Sequence, residues 1–279
     1  MADSQVSLGA SLTYGWDLLR AHWREIWGAL ALNALAWTVL FAGVFAQNDA
    51  LILAGSLAMM LTKYAVYGSV VRLTFGADHH DDPDFKLGVL GLQWKRMELR
   101  MFAADFLLSI FQFVILMLVA IALTAPLVGI AMSHGAQAAD VRTLEQFATV
   151  LGPHGATILQ IVPLVVWAIV ILVGIRLSLS LPASAESGRI SVLGTWKLSQ
   201  HSFLRLLGAT VVVMLPLIVI LLMIGGAVAG SDGQMRRFSP SEAFIFAMVC
   251  GLWAGGAVTP LIAAIQAYFY KHAKATAQP

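Results

Sequence analysis

SLTYGWDLLRAHWREIWGA, residues 11–29, returns as SVLGTWKLSQHSFLRLLGA, residues 191–209. Aligned without a gap, the two share Ser11/Ser191, Trp16/Trp196, Leu18/Leu198, Gly28/Gly208 and Ala29/Ala209. Trp23/Phe203, Ile26/Leu206 and Trp27/Leu207 match in apolar character. Each copy runs straight into a long apolar stretch. The reading that follows is a chain built in repeated units, each lying on a membrane and then entering it.

In the first copy Trp16, Leu19, Trp23, Ile26 and Trp27 recur at helical spacing on one face, while Asp17, Arg20, Arg24 and Glu25 fall elsewhere. Such a helix belongs in the headgroup layer, where an indole has apolar surroundings and a partner for its N–H. An ordinary cytoplasmic run-in to a spanning helix is the plainer alternative. A third, more diverged copy is read at LGLQWKRMELRM, residues 90–101, where Trp94, Met97 and Met101 repeat the spacing of Trp16, Leu19 and Trp23. Trp16, Trp23, Trp94, Trp196 and Phe203 are accordingly the expected interfacial anchors.

Outward from these copies, apolar runs predict spans over about 26–46, 50–75, 101–124, 158–181, 206–230 and 243–270. Pro126 is expected to stop or kink the third, and Pro182 to close the fourth. The fold class is therefore an all-α integral membrane protein with six transmembrane helices. They are arranged as three parallel hairpin repeats, about 11–75, 88–181 and 189–272, each preceded by an amphipathic interfacial helix. Together they form a single membrane domain, 1–279.

Composition agrees. Charged residues make up 11% of the 279 positions and hydrophobic ones 59%, with a mean hydropathy of +0.82. A soluble domain carries about 25% charged residues. A β-barrel would alternate apolar and polar residues in segments of about ten, and none do. The net charge of +2 gives no reason to expect nucleic acid as a partner. Cys250, the one cysteine, can form no internal disulfide. The leader MADSQVSLGASLTYGW has no basic residue before its apolar core and does not read as a signal peptide. With the N-terminus cytoplasmic, all 17 basic residues except Lys63, Arg142, Arg236 and Arg237 fall on the cytoplasmic side. The positive-inside rule then puts both termini in the cytoplasm of a bacterial inner membrane.

Few residues suggest chemistry. Lys63 lies within the second span beside Thr62, Tyr64 and Tyr67, where a charge costs about 2.5–3.5 kcal/mol on insertion scales. It is a candidate anchor for an anionic group such as a lipid phosphate or a carboxylate, or a lysine that snorkels to an interface. Arg72 and Arg176 stand at matching cytoplasmic span ends, to bind headgroup phosphates or to fix topology. Asp105 sits at similar depth and is expected to pair with either arginine. Lys63, Tyr64, Tyr67, Arg72, Arg176 and Asp105 are thus the candidate ligand-binding residues.

HHDDPD, residues 79–84, has metal-ligating side chains but lacks a second His or Cys pair to complete a site. It reads as a solvated linker, and His134 and His154 as inert. No metal or cofactor is implied, and no nucleophile setting or phosphate loop is present. Pro216 and Pro260, with Gly225, Gly226, Gly255 and Gly256, loosen the last hairpin beside a cavity. Gly251 and Gly255 form a small-xxx-small step, suited to packing within the chain or to a contact with a second copy.

The unit of a central Trp followed by Leu-Gly-Ala entering a span, carried best by Trp196-Lys197-Leu198 through Leu207-Gly208 and more weakly by Trp16 to Gly28, resembles a known family. It is similar to the six-span membrane domain attached to some glycerophosphodiester phosphodiesterases, and to that domain's stand-alone bacterial relatives. The resemblance implies a fold and a membrane location. No catalytic residue of those enzymes carries over, and no room for their catalytic domain is expected. The function expected is non-enzymatic: binding or moving a lipid-like or amphipathic ligand, with membrane lipids as partners. The alternatives are a scaffold at the cytoplasmic leaflet or, third, a membrane-embedded enzyme.

Overall fold

The computed structural model describes residues 7–133, 149, 155–200, 202–228 and 238–277. Among them six helices are long and apolar enough to cross a membrane, and no strand occurs. In chain order the elements are α1 (Leu8–Ala46), α2 (Asp49–Phe75), α3 (Arg96–Ser133), α4 (Gly155–Leu177), the short α5 (Ser180–Glu186) and α6 (Thr195–Leu198), α7 (Phe203–Val228) and α8 (Pro240–Trp253). A π turn (Ala254–Val258) leads on into α9 (Thr259–Ala277). This is a multi-pass membrane protein of the helical class. His134, Asp140, Arg142, Glu145, His154, Arg236 and Arg237, expected in loops between spans, lie outside the described residues.

The chain forms two compact units, residues 1–105 with 178–279, and residues 106–177. In the smaller unit the Gln112 amide lies against Gly174, and Phe113, Leu118, Leu164 and Trp167 are exposed. In the larger unit, α1 and α2 make a tight hairpin. Gln47 ends α1 in the left-handed conformation (φ 52°), and the Asn48 side chain accepts from the N–H groups of Ala50 and Leu51 to start α2. Glycine lets the two backbones meet: a Cβ on Gly55 would lie 2.5 Å from Leu40 Cα.

The last span wraps the same hairpin. Pro260 has no N–H for the carbonyl of Gly256, and the helix answers with a π turn in which Thr259 N–H reaches back to Ala254 O. That shift strands the carbonyl of Gly255. Asn33, fully buried on α1, donates its side-chain amide to it at 2.8 Å, and Thr62 of α2 donates to Asn33 Oδ1 at 3.0 Å. One asparagine thus joins α1, α2 and the last span inside the apolar region. Toward the end of α1 near Ala46, Trp37, Phe41 and Phe45 stack in sequence and meet Phe238 and Phe246 edge-on.

Several expectations are corrected. The 11–29 element is not a separate in-plane helix: it runs unbroken into the span as α1, whose 39 residues measure about 58 Å. Its small face is the cause. Ser11 and Gly15 are buried, Gly15 against Ala264 and Ile265, while Tyr14 packs on Tyr268 at 4.7 Å, so α9 carries this segment along its own length. Trp16, Trp23 and Trp27 stay exposed on the other side.

The 191–209 copy is broken, with the four-residue α6, a turn, then α7. The 90–101 copy is not one helix either. Val89–Gly91 form a 3-10 turn with Leu90 at φ 57° and Gly91 at φ 73°, and α3 begins only at Arg96. Gly91 is pressed on Ile26 and Ser69, where a side chain has no room, and Ser69 Oγ donates to its carbonyl at 2.9 Å.

Pro126 lies inside α3 and does not stop it, Pro182 lies inside α5 rather than closing a span, and Pro216 falls within α7 as expected. Gly251 and Gly255 are taken up within the chain, against Thr38 and against Asn33 and Ala34 of α1, so they offer no face to a second copy.

A matched pair tests this packing. Gly255→Ala would set a Cβ 2.6 Å from Ala34 Cα, whereas at Gly256 the nearest atom, Ala34 Cβ, is 4.0 Å away. In detergent melts followed by fluorescence-detected size exclusion, Gly255→Ala should lower the midpoint by the equivalent of about 1–3 kcal/mol. Gly256→Ala should match or exceed wild type.

Candidate functional site

The site grows from the facing sides of α2 and the first three turns of α3. Glu98 occupies the N-terminal turn of α3, where free N–H groups and the helix dipole favour a carboxylate, and it accepts from the Lys95 N–H at 2.8 Å. Arg72, near the end of α2, closes on it with both terminal nitrogens (Nη2 to Oε2, 3.1 Å), and its Nε donates to the Asp84 carbonyl at 2.8 Å. Both side chains are completely buried. Gly68, one turn earlier on α2, has no side chain because Glu98 occupies that space.

Arg72 is therefore not available to lipid phosphate, correcting the expectation that it binds headgroups. Its hydrogen-bonding capacity is used within the fold. Glu98 was missed in the sequence. The available signal was an acid three residues into a helix that starts just after a charged loop.

Roughly 13 Å further along α2 lies a second ion pair. Lys63 Nζ donates to Asp105 Oδ2 at 2.7 Å, and Tyr64 Oη donates to the same oxygen at 2.6 Å. Lys63 also lies over the rings of Tyr64 and Tyr67, at 5.4 and 5.8 Å. Asp105 thus pairs with Lys63, where an arginine was the expected partner, and Arg72 is engaged by Glu98. Four of the six candidate residues come together here: Lys63, Tyr64, Tyr67 and Asp105. Arg176 is at the end of α4 in the smaller unit.

A half-open groove of about 230 Å³ is lined by Ala29 and Leu32 of α1, Leu61, Thr62 and Ala65 of α2, and Leu92, Gln93 and Trp94 of the connecting segment. Trp94, expected as an interfacial anchor on a helix, is instead a groove wall in non-helical chain, edge-on to Tyr64 at 6.1 Å. Trp196 is exposed and Phe203 half-buried. Gln93 brings an amide Nε2 that is buried and has no partner.

A further polar cluster ties the 76–86 segment down. Asp78 meets Lys271 at 2.6 Å, and Glu186 accepts from Lys274 and from Tyr270 (3.1 Å) and lies 3.5 Å from His79. His79 stacks on Phe85 at 4.4 Å, while His80 and Asp81 are exposed. Of the HHDDPD run, only the middle behaves as a solvated linker. Among the described residues, no group of three or more His, Cys, Asp or Glu is arranged to hold a metal ion.

No family model, curated protein or solved structure matches the chain, and its function is argued from its own geometry.

The two pairs differ in what they tolerate. Arg72→Ala or Glu98→Ala leaves an uncompensated buried charge and should cost about 3–5 kcal/mol, seen as loss of monodisperse protein. Arg72→Met with Glu98→Leu should cost less than the two single changes together. Lys63→Ala, at a pair still 28% and 22% exposed, should be the milder change in the same assay.

Proposed function

We propose that the protein is a non-enzymatic lipid-binding protein of the bacterial inner (cytoplasmic) membrane, which holds part of an amphipathic molecule in the groove beside Lys63 and Asp105. The observation that carries this is the make-up of the groove. Its walls are almost wholly apolar, and the polar side chains among its lining residues are few: Thr62, Gln93 and the indole of Trp94. At about 230 Å³ it is smaller than the roughly 300–1,000 Å³ pockets that enclose whole drug-sized ligands. It therefore suits one portion of a molecule whose remainder stays among the lipid chains. An ionisable side chain within a spanning helix is costly and is a functional-site candidate by default.

The distribution of basic residues supports cytoplasmic termini. The gap-free match of 11–29 with 191–209 supports descent of the chain from a repeated amphipathic-segment-plus-hairpin unit. The resemblance to the membrane domain of some glycerophosphodiester phosphodiesterases points to the same membrane location.

Filling the groove tests the binding reading. Leu32→Trp, on its wall, should reduce co-purifying lipid several-fold by mass spectrometry without lowering the melting midpoint. Leu35→Trp, exposed on the same helix but outside the groove, should leave the lipid content unchanged. Equal lipid in both variants sinks the reading.

Orientation is checked separately. Alkaline phosphatase, active only outside the cytoplasm, should be inactive when fused after residue 80 and active after 140 or 235.

A further inference from the structure

Resting on the lipid-binding reading, we infer that the groove takes a diacyl phospholipid by its glycerol-ester region, the ester carbonyls accepting from Trp94 and Gln93, and that it reads this linkage rather than the headgroup. Depth is the first observation. Counted from the hairpin tip at Gln47 and Asn48, the roughly 20 residues that cross the hydrocarbon end near Trp27 on α1 and near Gly68 on α2. Ala29, Leu32, Leu61 and Ala65 of the groove wall lie within about 10 Å inside that boundary. The exposed indoles of Trp23 and Trp27 stand at the same level, where an aromatic belt belongs. The ester groups of a phospholipid lie there too, between headgroups and chains.

The polar groups of the wall are the second. None of its lining side chains is ionisable, so nothing in the groove itself distinguishes headgroup charge. Thr62 spends its one proton inward, on Asn33 Oδ1 at 3.0 Å or on the Ala58 carbonyl at 2.9 Å. Donors remain on two adjacent residues of the non-helical segment. The indole N–H of Trp94, a residue 46% exposed, has no acceptor among the described residues. Gln93 Nε2 is buried without a partner, which is costly, and the soft torsion of a terminal amide lets it turn an N–H toward the groove that the side chain lines. Neutral donors without a charge suit neutral acceptors, and a diacyl phospholipid brings an ester carbonyl for each. An ether-linked lipid has the same shape and no carbonyl. At about 230 Å³ the groove admits the ester region and leaves the headgroup and chain ends outside.

The test uses the full chain in detergent, incubated with equimolar diacyl phosphatidylcholine and its di-O-alkyl ether analogue of the same chain length, with bound lipid counted by native mass spectrometry. Wild type should retain the ester lipid over the ether lipid by roughly threefold or more. The same ratio should hold when both lipids carry a phosphatidylglycerol headgroup instead. Trp94→Phe with Gln93→Met, which keeps the wall and removes both donors, should bring the ratio to about one. Equal or greater retention of the ether lipid by wild type overturns the inference and needs no variant to fold. A ratio unchanged in the double variant overturns the assignment to Trp94 and Gln93. A preference confined to one headgroup overturns the reading of the linkage. Displacement of the ester lipid by an isoprenoid quinone, whose ring carbonyls are acceptors of the same kind, overturns the phospholipid as occupant. Retention of neither lipid removes the lipid-binding reading itself, a failure distinct from a wrong linkage.

Discussion

A single carbonyl group governs how the larger unit is assembled. Inside a membrane no water is present to accept or donate a hydrogen bond, and every backbone group must be satisfied by the protein. The π turn ahead of Pro260 breaks that accounting at Gly255, and Asn33 restores it from another helix. The repair fixes register as well as energy. Asn33 reaches Gly255 only if α1 and the last span lie at one height, and Thr62 then sets α2 at that height too. The glycines follow from the same constraint: with Asn33 and Ala34 against Gly255 and Thr38 against Gly251, no larger residue fits on the last span. A hydrogen bond of this kind in a bilayer is worth only about 0.6–2 kcal/mol. Its weight lies in excluding other alignments of three long apolar helices that would otherwise slide past one another at little cost.

Charge does for α3 what Asn33 does for the last span. The first three turns of α3 are fastened to α2 at two levels, by Arg72 with Glu98 and then by Lys63 and Tyr64 with Asp105. The levels differ in kind. The first is dry, bidentate and backed by backbone donors and acceptors at both ends, so it has nothing left to offer a ligand. The second is partly open and leaves donors on lysine unspent. The two ion pairs between α2 and α3 thus differ in exposure, one completely buried and the other 28% and 22% exposed.

Hydropathy and charge made the helical membrane class, the number of long apolar helices and the position of Lys63 beside Tyr64 and Tyr67 within a span legible in the sequence, whereas the approach of Asp105 to Lys63 was not. Those properties depend on local composition and on the cost of burying charge. What could not be read depends on partners remote in sequence. Asn33 looks like a stray polar residue in a span until Gly255, 222 positions away, is seen to need it. Glu98 looks like an ordinary helix-start acid until Gly68 is seen to vacate space for it. Trp94 matched the spacing of Trp16, but Leu90 and Gly91 take positive φ to fit beneath α1, which ends the helical register before Trp94 is reached.

That last divergence explains how a groove arises beside one of three segments that are similar in sequence. In α1 the amphipathic element stays helical because α9 supports it along its length. In the 191–209 copy it breaks into a short helix and a turn. In the 90–101 copy it gives up helical structure between Leu92 and Lys95, and there non-helical chain lines a groove with α1 and α2. An intact helix in that position would have packed its side chains against α1 and α2 and left no space. The extended chain instead holds Trp94 edge-on to Tyr64 and places an amide beside an apolar trough. Non-helical backbone within a membrane protein is tolerated where it is covered by protein or lines a cavity, and this segment does both. Leu90 is seated on Gly28 and the Gly91 carbonyl is bonded to Ser69, so the two residues that end the helix also satisfy its exposed backbone. The tryptophan that fits the repeat least well in structure is therefore the one beside the groove.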